Sequence, residues 1–285
     1  IQLTIFRPGR DEPFDVSVTR GVIELEPVTW ELEDGNIGHI MVNEFSRDVG
    51  SDVFSAWEAL KGEASGRVTG LVLDLRSNPG GSLDEAVALS DLFLTEGRIV
   101  SQRGRARGEN IAYDAETVFR GDIASGLPIV VLIDAGSASA SEIVAGALQD
   151  HRRAVVMGER SFGKGSVQSL LPLGRDAALK LTTARYYTPS GRSIQALGVS
   201  PDIVVAQPPA APETEEDEAL SARPLRSEAD LRGRLNNDSL TDDQIKQIED
   251  DREKARKAAE LREEDYQLAY AIDILKGLSA LGPKK

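Results

Sequence analysis

Residues 128–134, PIVVLID, run directly into 135–150, AGSASASEIVAGALQD, and the reading of this join decides the fold. The first run is continuous, apolar and β-branched, bounded by proline and glycine, which suits a strand buried on both faces. Gly136, Ser137, Ala138, Ser139 and Ala140 are small enough for a tight strand-to-helix turn. Ile143, Val144, Ala147 and Leu148 then recur at helical spacing. Ser139 with Glu142 three residues on has the form of a capping box. A serine is thereby set at a helix N-terminus, where free N–H groups and the positive end of the helix dipole favour developing negative charge. On the turn alone, a plain capped helix is the simpler reading.

Residues 154–168, AVVMGERSFGKGSVQ, add a second feature. Between Ile1 and Val205 lysine occurs only at Lys61, Lys164 and Lys180, while arginine is plentiful. Lys164 lies between Gly163 and Gly165, where backbone can approach closely. Arginine does not give up its proton in a protein and a buried lysine can, so a lysine here is a candidate base. A solvated surface lysine fits the same residues equally well.

Working outward, strands are expected at Gly38–Phe45 and Gly70–Leu75 and helices at Ser51–Lys61 and Ser82–Leu94. The first helix turns Val53, Phe54, Trp57 and Leu60 inward. Alternation of strand and helix predicts an α/β core with parallel pairing. Between the second strand and second helix lies RSNPGG, Arg76 to Gly81, a turn whose glycines leave backbone N–H groups uncovered. Gly97–Ala124 is polar and predicts strands and loops over the site. Residues 165–173, GSVQSLLPL, read as a strand, LKLTTARYYT at 179–188 alternates in part, and a last short strand is expected at Ser193–Gln195. Gln2–Phe6 and Phe14–Thr19 alternate as two short strands.

After Val205 the character changes. QPPAAPETEEDE carries three prolines and then five carboxylates between Glu213 and Glu218, the composition of a solvated linker, assigned to 206–238. Residues 239–285 are expected to be helical, Thr241 with Gln244 capping a charged segment. Glu264–Leu281 carries Leu268, Ala271, Ile272, Leu275 and Leu278 along one stripe. That stripe suits docking on the chain's own core or on a partner.

At 285 residues and 40% hydrophobic the chain can bury a substantial core. A net charge of −14 argues against nucleic acid as a partner. Zero cysteines exclude disulfides, a catalytic thiol and thiolate metal sites. The two histidines, His39 and His151, have no metal-binding spacing, so no metal is expected.

Four motifs, LDLRSNPGG at 73–81, SASASEI at 137–143, GERSFGKGSVQ at 158–168 and YYTPSGRSIQ at 186–195, together resemble the C-terminal processing (tail-specific) serine peptidase family over about Gly21 to Val205. The resemblance implies a crotonase-like β/α spiral for a peptidase core at 21–205. It implies Ser139 as nucleophile, Lys164 as general base and Gln168 as the residue orienting that lysine. Gly80 or Gly81, with the N–H of Ala140, would form the oxyanion hole. In SIQALGVSPDIVV, Ala196 and Val199 stand where glycine and isoleucine are more usual, and only packing consequences are expected. Residues 1–20 would be the last strands of a truncated PDZ domain, so any export signal is expected upstream of Ile1. The implied activity is serine endopeptidase hydrolysis near the C-termini of protein or peptide substrates with free C-termini, without a cofactor, in the periplasm or cell envelope. A homo-oligomer or adaptor contact through the C-terminal helix is a further expectation. The alternative is a non-catalytic module that holds peptide tails on the same fold.

The chemistry agrees with these residue types. A lysine acts as base only when neutral, and an unperturbed pKa of about 10.4 leaves a handicap of about 4 to 5 kcal/mol at pH 7. Burial without a carboxylate partner lowers that handicap, and the neutral amide of Gln168 can accept from the amine without stabilising the ammonium. Two rival sites fail. His151 with Asp150 lies twelve residues beyond Ser139 on one helix, about 18 Å away, too far for a Ser-His-Asp triad. Gly158–Lys164 matches G-x-x-x-x-G-K, but Gly165 stands where a phosphate loop needs Ser or Thr.

Overall fold

Two segments, Gly70–Asp74 and Ile129–Ile133, are buried at every position, and for that reason neither alternates in hydropathy. They pair in parallel at the centre of the sheet. The computed structural model describes residues 1–10, 12–21, 26–33, 36–105, 108, 110–116, 121–175, 177–206, 241, 247 and 265–281. The strands are β1 (Gln2–Ile5), β2 (Phe14–Ser17), β3 (Val28–Glu33), β4 (Ile37–Val42), β5 (Gly70–Asp74), β6 (Arg98–Gly104), β7 (Ile111–Asp114), β8 (Ile129–Ile133), β9 (Val155–Gly158), β10 (Ser166–Pro172), β11 (Ala178–Tyr187) and β12 (Ile203–Val204). The helices are α1 (Val49–Glu63), α2 (Leu83–Asp91), α3 (Ala140–Asp150) and α4 (Tyr266–Leu281).

The fold is mixed α/β. A six-stranded sheet has the order β12-β9-β8-β5-β4-β3, parallel except for β3 at the edge. A four-stranded antiparallel sheet has the order β10-β11-β6-β7, and β1-β2 form a separate pair. Alternate residues of the central strands go to opposite faces. Leu71, Leu73, Val131 and Ile133 join the core that includes residues of α1, α2 and α3, whereas Val72, Val130 and Leu132 meet Ala271 and Leu275 of α4. Helices thus cover both faces of the sheet, and the strand ends carry the loops that follow.

Among the described residues the expected helices and strands are present except the last short strand, with differences at their ends. Helix α2 stops at Asp91 rather than Leu94: the Phe93 N–H donates to the Ser90 carbonyl three residues back, so the chain leaves the α-helical ladder in a tighter turn. Phe93 then packs from a turn rather than a helix, fully buried. Ser193–Gln195 is no strand but an isolated bridge between Ser193 and Tyr187, since the next residues turn sharply. The linker beyond Ala206, and Gln244 of the Thr241–Gln244 cap, lie outside the described residues. The stripe on α4 faces its own core, with Ala271 and Leu275 fully buried and Leu278 exposed.

A charge network fixes α4. The Arg76 guanidinium donates to both Asp74 oxygens and, through Nη1 and Nη2, to both Asp265 oxygens at 2.7 and 2.9 Å. Gln267, buried at the start of α4, donates to the Val205 carbonyl at 2.7 Å. Burial alone would raise the Asp74 carboxyl, but hydrogen bonds from His39 and Arg76 and the Arg76 charge hold it below the ordinary carboxylate range. The stability contributed by Asp74 is therefore present near neutrality and lost as pH falls through its lowered value. Arg76→Ala is expected to cost about 3 to 5 kcal/mol in denaturant unfolding, because it leaves Asp74 buried and without its cation. Asp265→Ala, at a half-exposed partner, should cost about 0 to 1 kcal/mol.

Candidate active site

The strand-to-helix turn expected at 135–140 is present, and its geometry sorts the three serines. Ser137 is fully buried and donates its hydroxyl to the Leu75 carbonyl at 2.8 Å. Ser141, equally buried, donates to the Asn78 carbonyl at 3.0 Å. Both flanking hydroxyls therefore tie the turn to the end of β5. Ser139 alone is partly exposed. As N-cap of α3 it has φ 56 and ψ −109, a sparsely populated conformation for a residue with a Cβ. Such backbone costs about 1 to 3 kcal/mol and persists only where its surroundings over-determine it.

One surrounding element is the glycine turn after β5. Asn78, fully buried, donates through Nδ2 to the Val42 carbonyl and accepts the N–H of Gly80 on Oδ1 at 2.8 Å. Its own carbonyl accepts Ala138 N–H at 2.9 Å. Asp134 accepts from the N–H and hydroxyl of Ser77 and from the N–H groups of Gly136 and Ser137, so the two turns share one carboxylate. Gly80 has φ 96, and a Cβ there would stand 2.6 Å from the Ala138 carbonyl oxygen and 2.7 Å from the Ser139 Cβ. Only glycine permits that approach. The N–H of buried Gly80 is engaged, whereas Gly81 is exposed and its N–H makes no hydrogen bond to a described residue. Ala140, as the first residue of α3, has an N–H outside the intrahelical ladder.

The other element is the Lys164 loop, and Glu142 joins it to the Ser139 turn. Glu142 is fully buried in the first turn of α3. Its Oε2 accepts from the backbone N–H of Ser139 and from that of Lys164, each at 2.8 Å. Oε1 accepts from Gly163 N–H at 2.8 Å and from the Ser161 hydroxyl at 2.5 Å. Two residues twenty-five apart in sequence are thus held with their amide nitrogens no further apart than two hydrogen bonds. Burial pushes the Glu142 carboxyl up to about 7, against the pull of the four hydrogen bonds.

The glycines around Lys164 are required by packing. A Cβ at Gly165 would stand 2.3 Å from the Gln195 nitrogen. Gly165 N–H donates to Oε1 of buried Gln195, and Ala196 N–H to the Gly163 carbonyl. Residues 193–198 therefore clamp the lysine loop from outside. Ala196 adopts φ 60, so the substitution expected to affect only packing also carries backbone strain, which explains why glycine suits that position.

Lys164 is half-buried and Gln168, four residues on in β10, is exposed. Their side chains make no hydrogen bond with each other or with Ser139. His151 caps the far end of α3 and bonds the Arg98 carbonyl at 2.6 Å, and Asp150 accepts from Ser190 N–H and Arg192, so neither belongs to this cleft. The segment after Lys164 is a strand, not the helix of a phosphate loop. Asn78, Asp134, Gln195 and the four-bonded role of Glu142 were not foreseen from sequence. Only Glu142 left a signal there, as the second half of a capping box.

The profile of peptidase family S41 matches residues 36–205. The chain is 51% identical over 209 residues to the carboxy-terminal-processing protease of Bartonella bacilliformis, covering 73% of this chain and 47% of that protein. It is 39% identical over 212 residues to the carboxyl-terminal-processing protease of Synechocystis sp., covering 73% and 48%. Among solved structures, the photosystem II D1 C-terminal processing protease superposes with a TM-score of 0.57 at 31% identity, over 68% of this chain and 52% of that one. The chain spans about half the length of these curated relatives.

Glu142 yields a test with a defined sign. A buried acid whose pKa rises from 4.5 to about 7 on folding stabilises the fold fully below the lower value, and that contribution is lost as pH rises through the higher one. Unfolding free energy should fall by up to about 3 kcal/mol between these pH values in the parent, and this component should vanish in Glu142→Gln. The amide also turns an NH2 toward two of the four donors, so turnover should drop about 10- to 100-fold through misplacement of Ser139 and Lys164. An unchanged pH slope, or full activity, would refute this role.

Proposed function

The chain belongs to peptidase family S41, and on that footing we propose that it is a serine endopeptidase that cleaves protein substrates near their free C-termini by a Ser139 and Lys164 mechanism. The observation that carries the reading is the sorting of the serines. Ser137 and Ser141 are buried with their hydroxyls donated to carbonyls, while Ser139 is partly exposed on strained backbone and tied through Glu142 to the backbone of Lys164.

The chemistry follows from the residues. The neutral amine of Lys164 takes the hydroxyl proton of Ser139 as the oxygen attacks the scissile carbonyl. This requires the Lys164 side chain to reach about 3 Å from the Ser139 hydroxyl, a contact that is commonly long without substrate and tightens on binding. Gln168 accepts an N–H from the amine and so directs the single lone pair toward the Ser139 hydroxyl. Gly81 N–H, free where Gly80 N–H is engaged by Asn78, pairs with Ala140 N–H at the oxyanion. The lysine returns its proton to the leaving amine, and a water activated in the same way hydrolyses the acyl-enzyme. No cofactor enters any step.

The wider organisation is proposed on the family resemblance. The core at 21–205 is a crotonase-like β/α spiral, 206–238 a linker and 239–285 a helical extension. Residues 1–20 are the closing strands of a PDZ domain, a reading supported by the exposed apolar side chains of Ile1, Leu3, Phe6 and Val18 around the β1-β2 pair. The working compartment is the periplasm or cell envelope. Any homo-oligomer or adaptor contact through the C-terminal helix would use the face of α4 around Leu278, since the rest of its stripe is covered.

Cleavage of an unfolded protein separates the roles. Ser139→Ala should lower turnover about 10⁴-fold or more. Lys164→Arg keeps the charge but cannot act as a base, so it should be as inactive. An active arginine variant would remove the base assignment, and an active Ser139→Ala with an inactive, folded Ser137→Ala would move the nucleophile.

A further inference from the structure

The hairpin of β10 and β11 extends past the sheet that carries it. β11 pairs with β6 only over Ala184–Tyr187, while β10 is the edge of the four-stranded sheet. Every described residue from Leu170 to Thr182 is exposed. The ribbon shows Leu170, Leu171, Leu173, Leu179 and Leu181 to solvent, Leu170 at 68% and Leu173 at 60% of full exposure. A two-stranded ribbon with open edges and exposed leucines is marginal alone and prone to pair with another chain.

We propose that this ribbon is the docking arm for an extended, apolar substrate segment that ends in negative charge, laid as an added strand along the free edge of β10 and leading into the Ser139 cleft. The proposal rests on the peptidase reading above and deepens it. Three observations choose the occupant. First, β10 starts two residues beyond Lys164, and Tyr186 N–H donates to the Gly165 carbonyl at 2.7 Å. A strand added to its edge therefore runs to the proposed base. Second, the ribbon from Ser166 to Tyr187 has three cations, Arg175, Lys180 and Arg185, and one carboxylate, Asp176, within a chain of net charge −14. This local excess of positive charge favours a chain carrying a free C-terminal carboxylate. It also opposes a second copy, because ribbon-to-ribbon pairing would set cations against cations. Third, the edge offers unpaired backbone N–H and C=O groups, which a peptide satisfies and a lipid surface does not. Folded proteins hide the leucine-binding side chains that an unfolded tail exposes, so such an arm selects unfolded segments.

The double variant Leu170→Ser with Leu173→Ser in the full chain tests this, read by cleavage of an unfolded protein and by labelling of Ser139 with a small fluorophosphonate. The variant should raise KM about tenfold or more with kcat and the labelling rate unchanged. Lys180→Glu should raise KM more for a free-acid peptide than for its amidated form. An unchanged KM overturns the proposal, as does a labelling rate that falls in step with cleavage. So does a change confined to sedimentation, which would mark contact between copies, or to binding of phosphatidylglycerol vesicles, which would mark a lipid surface. If the parent protein neither reacts with the fluorophosphonate nor cleaves, the peptidase reading itself has failed, which is a separate outcome.

Discussion

One buried carboxylate holds this site together. Glu142 accepts four hydrogen bonds, two of them from the backbone N–H groups of the residues that carry the proposed nucleophile and base. Because its donors are amides of Ser139, Gly163 and Lys164 and the hydroxyl of Ser161, it sets backbone positions and leaves the side chains of Ser139 and Lys164 to the chemistry. An acceptor-only group suits this task, since each oxygen meets two donors and nothing else. The cost is a carboxyl removed from water, which shows as its upward displacement to about 7.

The remaining architecture delivers three loops to that joint. The parallel strands β5 and β8 end side by side, which brings the glycine turn and the nucleophile turn into contact through Asn78 and Asp134. β9 runs parallel beside β8 and sends the lysine loop back over the start of α3, where Phe162 N–H donates to the Ser137 carbonyl. Close approach is what the glycines supply. At Gly80 a side chain would meet the Ser139 turn and at Gly165 the Gln195 backbone. Arg76, the first residue of the glycine turn, bonds Asp265 beside α4. The helix laid across the back of the sheet is thereby anchored to the same segment that shapes the front.

Much of this was legible in the sequence, for local reasons. Largely apolar runs at 70–75 and 128–134 marked strands covered on both faces. The small residues before Ile143 marked a strand-to-helix turn, and the motifs around Ser139 and Lys164 carried the family. What escaped depends on partners distant in sequence. Glu142 looked like a helix cap, and its bonds to residues 161–164 follow only from the return of the chain after β9. Gln195 was read as part of a strand, yet its side chain is used to clamp Gly165. Ala196 looked like a packing change, but its positive φ is a property of a turn that composition does not reveal. The end of α2 at Asp91 likewise follows from the Phe93 N–H turning to the Ser90 carbonyl, which periodicity does not show.

Glu142 is one joint between the Ser139 turn and the Lys164 loop. Site-resolved amide hydrogen exchange measures that joint directly, comparing the parent with Glu142→Gln at Ser139, Gly163 and Lys164. The account predicts that protection at these amides drops together in the variant, while Ala138, whose N–H is held by the Asn78 carbonyl, keeps its protection. Unchanged protection at Ser139 and Lys164, or loss at one without the other, would contradict it.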